Sequence, residues 1–173
     1  MKVRSPKRPS SFGSSVSVQN NIEGVMLSLS ENLVFEPNSA DLNAKATEVL
    51  DKIAKMLVPI DNAVRITAYT DDTPPTDPRY PSNWDLSSAR ATTIVRYFAA
   101  NGVDPTRLSA TGRGEYDPLF PNTSDQNRAY NRRAEIAVIY TVESNNVVLQ
   151  PLGADLTGVS GVTTNTTNGG TTP

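Results

Sequence analysis

Apolar and polar residues alternate along several stretches of this chain and recur at helical spacing along two others. Val25, Leu27 and Leu29 occupy alternate positions, the pattern of a half-buried strand. Val64, Ile66 and Ala68 repeat it between Arg65, Thr67 and Tyr69. Ala134, Ile136, Val138, Tyr140 and Val142 line one face of a last strand, and Leu108 to Gly112 adds a short one. Leu42, Ala46, Val49, Leu50, Ile53, Ala54 and Leu57 follow helical spacing until Pro59 stops the run, with Asn38 and Ser39 as candidate caps. A second helix is predicted from about Asn83 to Asn101-Gly102, where glycine suits a left-handed C-cap. Strands alternating with helices predict an α/β sandwich (α+β), a mixed β-sheet of about four strands with helices covering one face.

Composition sets the limits of that domain. Residues 1–19 carry four basic side chains, no acid and six serines, and read as a flexible basic linker. In residues 144–173 only Asp155 is charged and threonine, glycine and asparagine dominate, so a flexible tail is expected there. The folded unit is therefore expected over residues 20–143, with 12 basic and 17 acidic side chains. An acidic domain argues against nucleic acid as a partner. The chain has no cysteine and no histidine, which removes disulfides, thiolate metal sites and the commonest general base. No metal and no cofactor is expected. Nor is any apolar run long enough to span a bilayer.

One residue is out of keeping with its surroundings. Leu86, Arg90, Ile94 and Phe98 lie four apart on one helix face, which is apolar except for Arg90. A buried guanidinium keeps its charge and needs an anion, and the expected partner is the Asp71-Asp72 pair after the second strand. That pairing is either a structural ion pair or half of a ligand site, with the two readings evenly matched. Asp71, Asp72, Asp77 and Asp85 lack the alternation and glycine of a calcium loop. Adjacent Asp71 and Asp72 should diverge, which argues against a two-carboxylate hydrolase. Asn131-Arg132-Arg133 reads as a solvated strand end.

Asn83, Leu86, Ser87, Arg90, Ala91, Ile94 and Phe98 together resemble the signature of the OmpA-like peptidoglycan-binding family. Further blocks agree in order: Leu33-Val34-Phe35 through Ser39-Ala40, Thr70-Asp71, Arg107-Leu108-Ser109-Ala110 with Gly112, and Arg128-Ala129 with Asn131-Arg132-Arg133. Asp71-Asp72-Thr73-Pro74 followed by Tyr80-Pro81-Ser82-Asn83-Trp84-Asp85-Leu86-Ser87 is similar to the MotB-type flagellar stator group within that family. Tyr69 departs from it, since histidine is common before the Thr-Asp pair.

The resemblance implies non-enzymatic binding of the diaminopimelate-containing stem peptide, anchoring a flagellar motor stator unit to the cell wall. Asp71 and Arg90 are the positions it implies for gripping the zwitterion, with Thr70, Asn38, Asn83 and Leu86 as further pocket residues. Arg132 and Arg133 are added by motif position alone. It also implies a homodimer, a MotA-type channel subunit as partner, and a periplasmic domain of an inner-membrane protein whose transmembrane helix is absent from this chain. The alternatives are a wall anchor of an outer-membrane protein without a motor role, and a cell-wall hydrolase.

Overall fold

The computed structural model describes residues 15–140 and 163–167. Six strands form one mixed sheet: β1 (Ser15–Asn21), β2 (Gly24–Ser30), β3 (Val64–Tyr69), β4 (Leu108–Gly114), β5 (Arg133–Ile139) and β6 (Thr163–Thr167). Their order across the sheet is β4-β3-β5-β2-β1-β6. The β3–β4 and β1–β6 pairs run parallel and the others antiparallel. Among the described residues four α-helices accompany them: α1 (Glu31–Val34), α2 (Ala46–Leu57), α3 (Asn83–Ala100) and α4 (Asp125–Asn131). The α/β class is as expected, and the sheet is wider than expected.

The core follows from the alternation. Val25, Leu27 and Leu29 of β2, Val64, Ile66 and Ala68 of β3, and Ala134, Ile136 and Val138 of β5 are all buried on one face of the sheet. Val49, Leu50, Ile53 and Leu57 of α2 pack with Ile94 and Phe98 of α3 in the same cluster. Each such side chain contributes about 1.5–3 kcal/mol when fully removed from water. That layer fixes α3 against β3 and β4, the parallel pair it connects.

Three expectations change. The linker does not run to residue 19, because Ser15–Asn21 pairs antiparallel with β2 and buries Val16 and Val18 to 1% and 5% exposure. Two inward valines at strand spacing outweigh the serine-rich composition around them. The first long helix starts at Ala46 and not near Ser39. Phe35 and Leu42 form an isolated bridge that closes the intervening loop, and the Asn43 side chain accepts from the Lys45 and Ala46 amides at 2.9 and 3.0 Å. The expected flexible tail lies outside the described residues except for Thr163–Thr167, which pairs with β1. The α3 boundaries are as expected: Ser82 caps the start and Gly102 takes φ +92° at the end.

Candidate functional site

The carboxyl end of β3 and the amino end of α3 meet at a β-bulge. Ala68 pairs with Gly112 and Tyr69 with Gly114, so the register slips by one residue just before Thr70. The Thr70 amide then donates to the Gly114 carbonyl at 2.9 Å. Close approach of α3 to β4 depends on Gly112, where a Cβ would meet Ser88 Oγ at 2.3 Å. Ser82 caps α3 through the Asp85 amide, and the Asp85 carboxylate accepts from the Ser82 hydroxyl at 2.6 Å. This places Asn83 at the loop mouth, and Arg90 two turns further along the buried stripe.

Arg90 is 2% exposed, and its partner is not the expected aspartate. Its Nη2 is paired with Glu31 Oε1, its Nε donates to the Ser39 carbonyl at 2.8 Å, and its guanidinium lies 5.1 Å from the Phe35 ring centroid. Glu31 accepts on its other oxygen from Arg132 Nε at 2.6 Å, and Arg132 Nη1 donates to Asp71 Oδ2 at 2.5 Å. Asp71 Oδ1 accepts from the Thr73 amide at 2.8 Å. The result is a chain of alternating charge, Arg90–Glu31–Arg132–Asp71, in which Arg132 is the most exposed member, with 29% of its side-chain surface accessible. Burial alone would lower the Arg132 pKa, but Asp71 and Glu31 outweigh it and hold that pKa above its usual value.

Asn83 borders the same mouth. Its Nδ2 donates to the Asp71 carbonyl, the Thr73 carbonyl and Glu115 Oε2 at 3.2, 3.1 and 2.8 Å. Three acceptors around one nitrogen fix which way the amide points. Its Oδ1 is the one buried side-chain polar atom without a hydrogen-bond partner among the described residues. A buried acceptor left open in this way costs stability unless something completes it.

The other expected site residues divide. Thr70 is buried and donates to the Asp71 carbonyl at 2.9 Å, holding the backbone of the mouth. Asn38, at φ 56°, exchanges hydrogen bonds with Thr76 at 2.9 and 3.3 Å and so clamps the proline-rich loop. Leu86 packs with Ala40 and Tyr80 in a small satellite core. Arg133 is not brought to the charge chain. Its neighbours Ala134 and Ile136 face the helices, so it projects from the opposite side of the sheet, 3.6 Å from the Tyr69 ring centroid and 2.8 Å from Glu135 Oε1. Asp71 and Asp72 diverge as expected. Asp72 accepts from Arg128 Nε at 2.8 Å, which holds its pKa below the usual carboxylate value. Glu31 was not among the expected residues. No group of three or more acidic side chains among the described residues is arranged to hold a metal ion.

The architecture, a mixed sheet covered by helices, has known counterparts. The OmpA family pattern matches residues 34–132, and the chain belongs to that family. Within it, motility protein B of Helicobacter pylori is 32% identical over 128 residues, covering 72% of this chain and 49% of that protein. The solved periplasmic domain of the H. pylori protein superposes with a TM-score of 0.67 at 30% identity, covering 74% of this chain and 83% of that one. The cell wall anchor of the type VI secretion system from Pseudomonas aeruginosa gives a TM-score of 0.69 at 32% identity, covering 73% and 88% of the two chains. Peptidoglycan-binding protein ArfA of Mycobacterium tuberculosis is 30% identical over 136 residues, 78% of this chain and 40% of that protein. The chain thus spans about half the length of the curated relatives it matches. No helix among the described residues is long and apolar enough to cross a membrane.

Proposed function

We propose that this chain binds peptidoglycan without cutting it and anchors a flagellar motor stator unit to the cell wall. The observation that carries the reading is the alternating chain Arg90–Glu31–Arg132–Asp71, beside an open acceptor on Asn83. Glu31 demonstrates that a carboxylate fits between two guanidinium groups here. The zwitterionic end of a diaminopimelate-containing stem peptide presents one carboxylate and one ammonium. The partly exposed Arg132, held in place by Glu31 and Arg90, suits the first, and the Asp71 carboxylate with Asn83 Oδ1 suits the second. Family membership and the peptidoglycan-binding relative support the ligand class. Similarity to motility protein B supports the motor role, and with it a periplasmic site, a homodimer and a MotA-type channel partner for the whole protein.

A second reading, an anchor for another envelope assembly, draws on the similarity to the type VI secretion anchor. The experiment separates the readings in stages. Co-sedimentation with purified sacculi, competed by free stem peptide and with no soluble muropeptides released, supports a binding anchor. Release of muropeptides would make the protein a hydrolase. Restoration of swimming by a stator protein carrying this domain separates the motor from other assemblies.

A further inference from the structure

Trp84 and Tyr116 stack in the open. Their ring centroids lie 5.1 Å apart with planes 19° from parallel, yet the two residues are 48% and 64% exposed. Stacked aromatic pairs ordinarily contribute by leaving water, and this pair has not left it. Both rings grow from the walls of the charged mouth. Trp84 follows Asn83 at the start of α3, and Tyr116 follows Glu115, whose carboxylate accepts from Asn83 Nδ2 at 2.8 Å. Gly114 forms the floor: a Cβ there would lie 3.4 Å from Tyr116 Cδ2 and 3.6 Å from Trp84 Cδ2. Charged groups stand beside each ring in the chain, Asp85 after Trp84, and Asp117 after Tyr116, the latter 3.5 Å from Arg113.

We propose that the Trp84–Tyr116 pair is a saccharide platform for the glycan strand that carries the bound stem peptide. The inference rests on the peptidoglycan reading and names a second subsite for the same polymer. A pyranose ring presents a face of C–H bonds to an aromatic face while its hydroxyl and acetamido groups point outward. Asp85 and Asp117 follow the two rings in the chain and are already partnered, by Ser82 and Arg113, so polar groups flank an exposed aromatic face as that division requires. Gly114 links the two places: a Cβ there would lie 3.6 Å from both the Asn83 carbonyl carbon and Trp84 Cδ2, so the platform stands at the edge of the mouth. The outer ring faces thus take an amino-sugar residue while the charge chain takes the stem peptide.

Trp84 is the only tryptophan in the chain, so its emission reports on this platform alone. The full chain is titrated with a diaminopimelate-containing stem peptide, and separately with the same peptide on its N-acetylglucosamine–N-acetylmuramic acid disaccharide. The platform predicts that the disaccharide form binds about tenfold tighter and shifts Trp84 emission, whereas the bare peptide leaves emission unchanged. Tyr116→Ala should remove that gain without altering melting or affinity for the bare peptide, and Tyr116→Phe should retain it. Equal affinity for the two ligands with constant emission, or an undiminished gain in Tyr116→Ala, overturns the platform and leaves the anchor standing. Failure of both ligands to bind overturns the platform and the anchor reading together.

Discussion

Two buried arginines flank the same end of the sheet and are used in opposite ways. Arg133, 6% exposed, lies over the Tyr69 ring, and all three of its nitrogens donate: Nε to Glu135, Nη1 to the Asn131 and Asp117 carbonyls, Nη2 to the Asp117 carbonyl. Its carboxylate partner is occupied again by the Tyr69 hydroxyl at 2.8 Å. This cluster is self-contained. Arg90, on the helix-covered face, belongs instead to a relay that runs through the partly exposed Arg132 to Asp71 and borders an acceptor with no donor among the described residues. A cluster that closes on itself stabilises a fold, whereas a partly exposed cation beside an unpaired acceptor is the feature on which the proposed ligand site rests. The pairing of Arg90 with Glu31 also joins the two readings that the sequence left evenly matched. The arginine is a structural ion pair and, through Arg132, part of a charged mouth.

The comparison can be broken from either side. The largest effect is expected at Arg90. Arg90→Ala leaves the buried Glu31 carboxylate with one partner removed and should cost on the order of 3–5 kcal/mol, measured by urea denaturation. A loss below ~1 kcal/mol would mean that the relay is better hydrated than its burial indicates. Next comes Arg132→Ala, which removes the exposed member. Wall affinity should fall by roughly one to two decades, with a smaller loss of stability than at Arg90. Sacculus binding isotherms and melting on the same samples test both halves.

On the closed side, Tyr69→Phe deletes one hydrogen bond to Glu135 and should cost about 1 kcal/mol at neutral pH, with wall binding unchanged. It should also alter the alkaline limb. Burial first, and then the Glu135 charge, push the Tyr69 phenol far above its ordinary value. A raised folded pKa gives stability that is whole below the unfolded value near 10. That stability is lost as pH climbs from there toward the folded value. The wild type should therefore weaken above about pH 10 more steeply than Tyr69→Phe. The smallest effect belongs to the exposed Asp72–Arg128 pair. The Arg128 hydrogen bond depresses the Asp72 pKa, so its contribution is present above the ordinary carboxylate range and fades as pH falls through the folded value. Solvent screening should leave Arg128→Ala with an unchanged melting temperature at neutral pH.

Alternation and helical spacing made the central strands and both long helices legible, because the inward positions there are apolar apart from Asn83, Ser87 and Arg90 of α3. β1 was hidden since its two inward valines sit in a segment whose serines and basic residues dominate any average. α4 holds only seven residues, too few for periodicity to register. At the mouth, the oddity of Arg90 was visible from its own helix face, and Asp71 from its place after a strand. Glu31 was not, because it lies 59 residues from Arg90 in a single-turn helix whose local pattern gives no sign of a buried carboxylate. Arg133 was legible, but the structure places it apart from the charge chain. The same alternation that buries Ala134 and Ile136 puts Arg133 on the far face, and motif position alone had grouped it with Arg132. Tertiary pairing decided what neither pattern nor motif could.

The central claim is that the mouth between β3 and α3 receives the wall peptide, and Asp71→Asn tests it most directly. The side chain keeps its size and can still accept from the Thr73 amide, but it loses the charge meant for the ligand's ammonium. Co-sedimentation with purified sacculi, run beside thermal melting of the same protein, gives the answer. The account predicts a folded variant whose wall affinity falls at least tenfold, as loss of one charge-assisted contact requires. A folded Asp71→Asn protein that sediments with sacculi as the wild type does would contradict it.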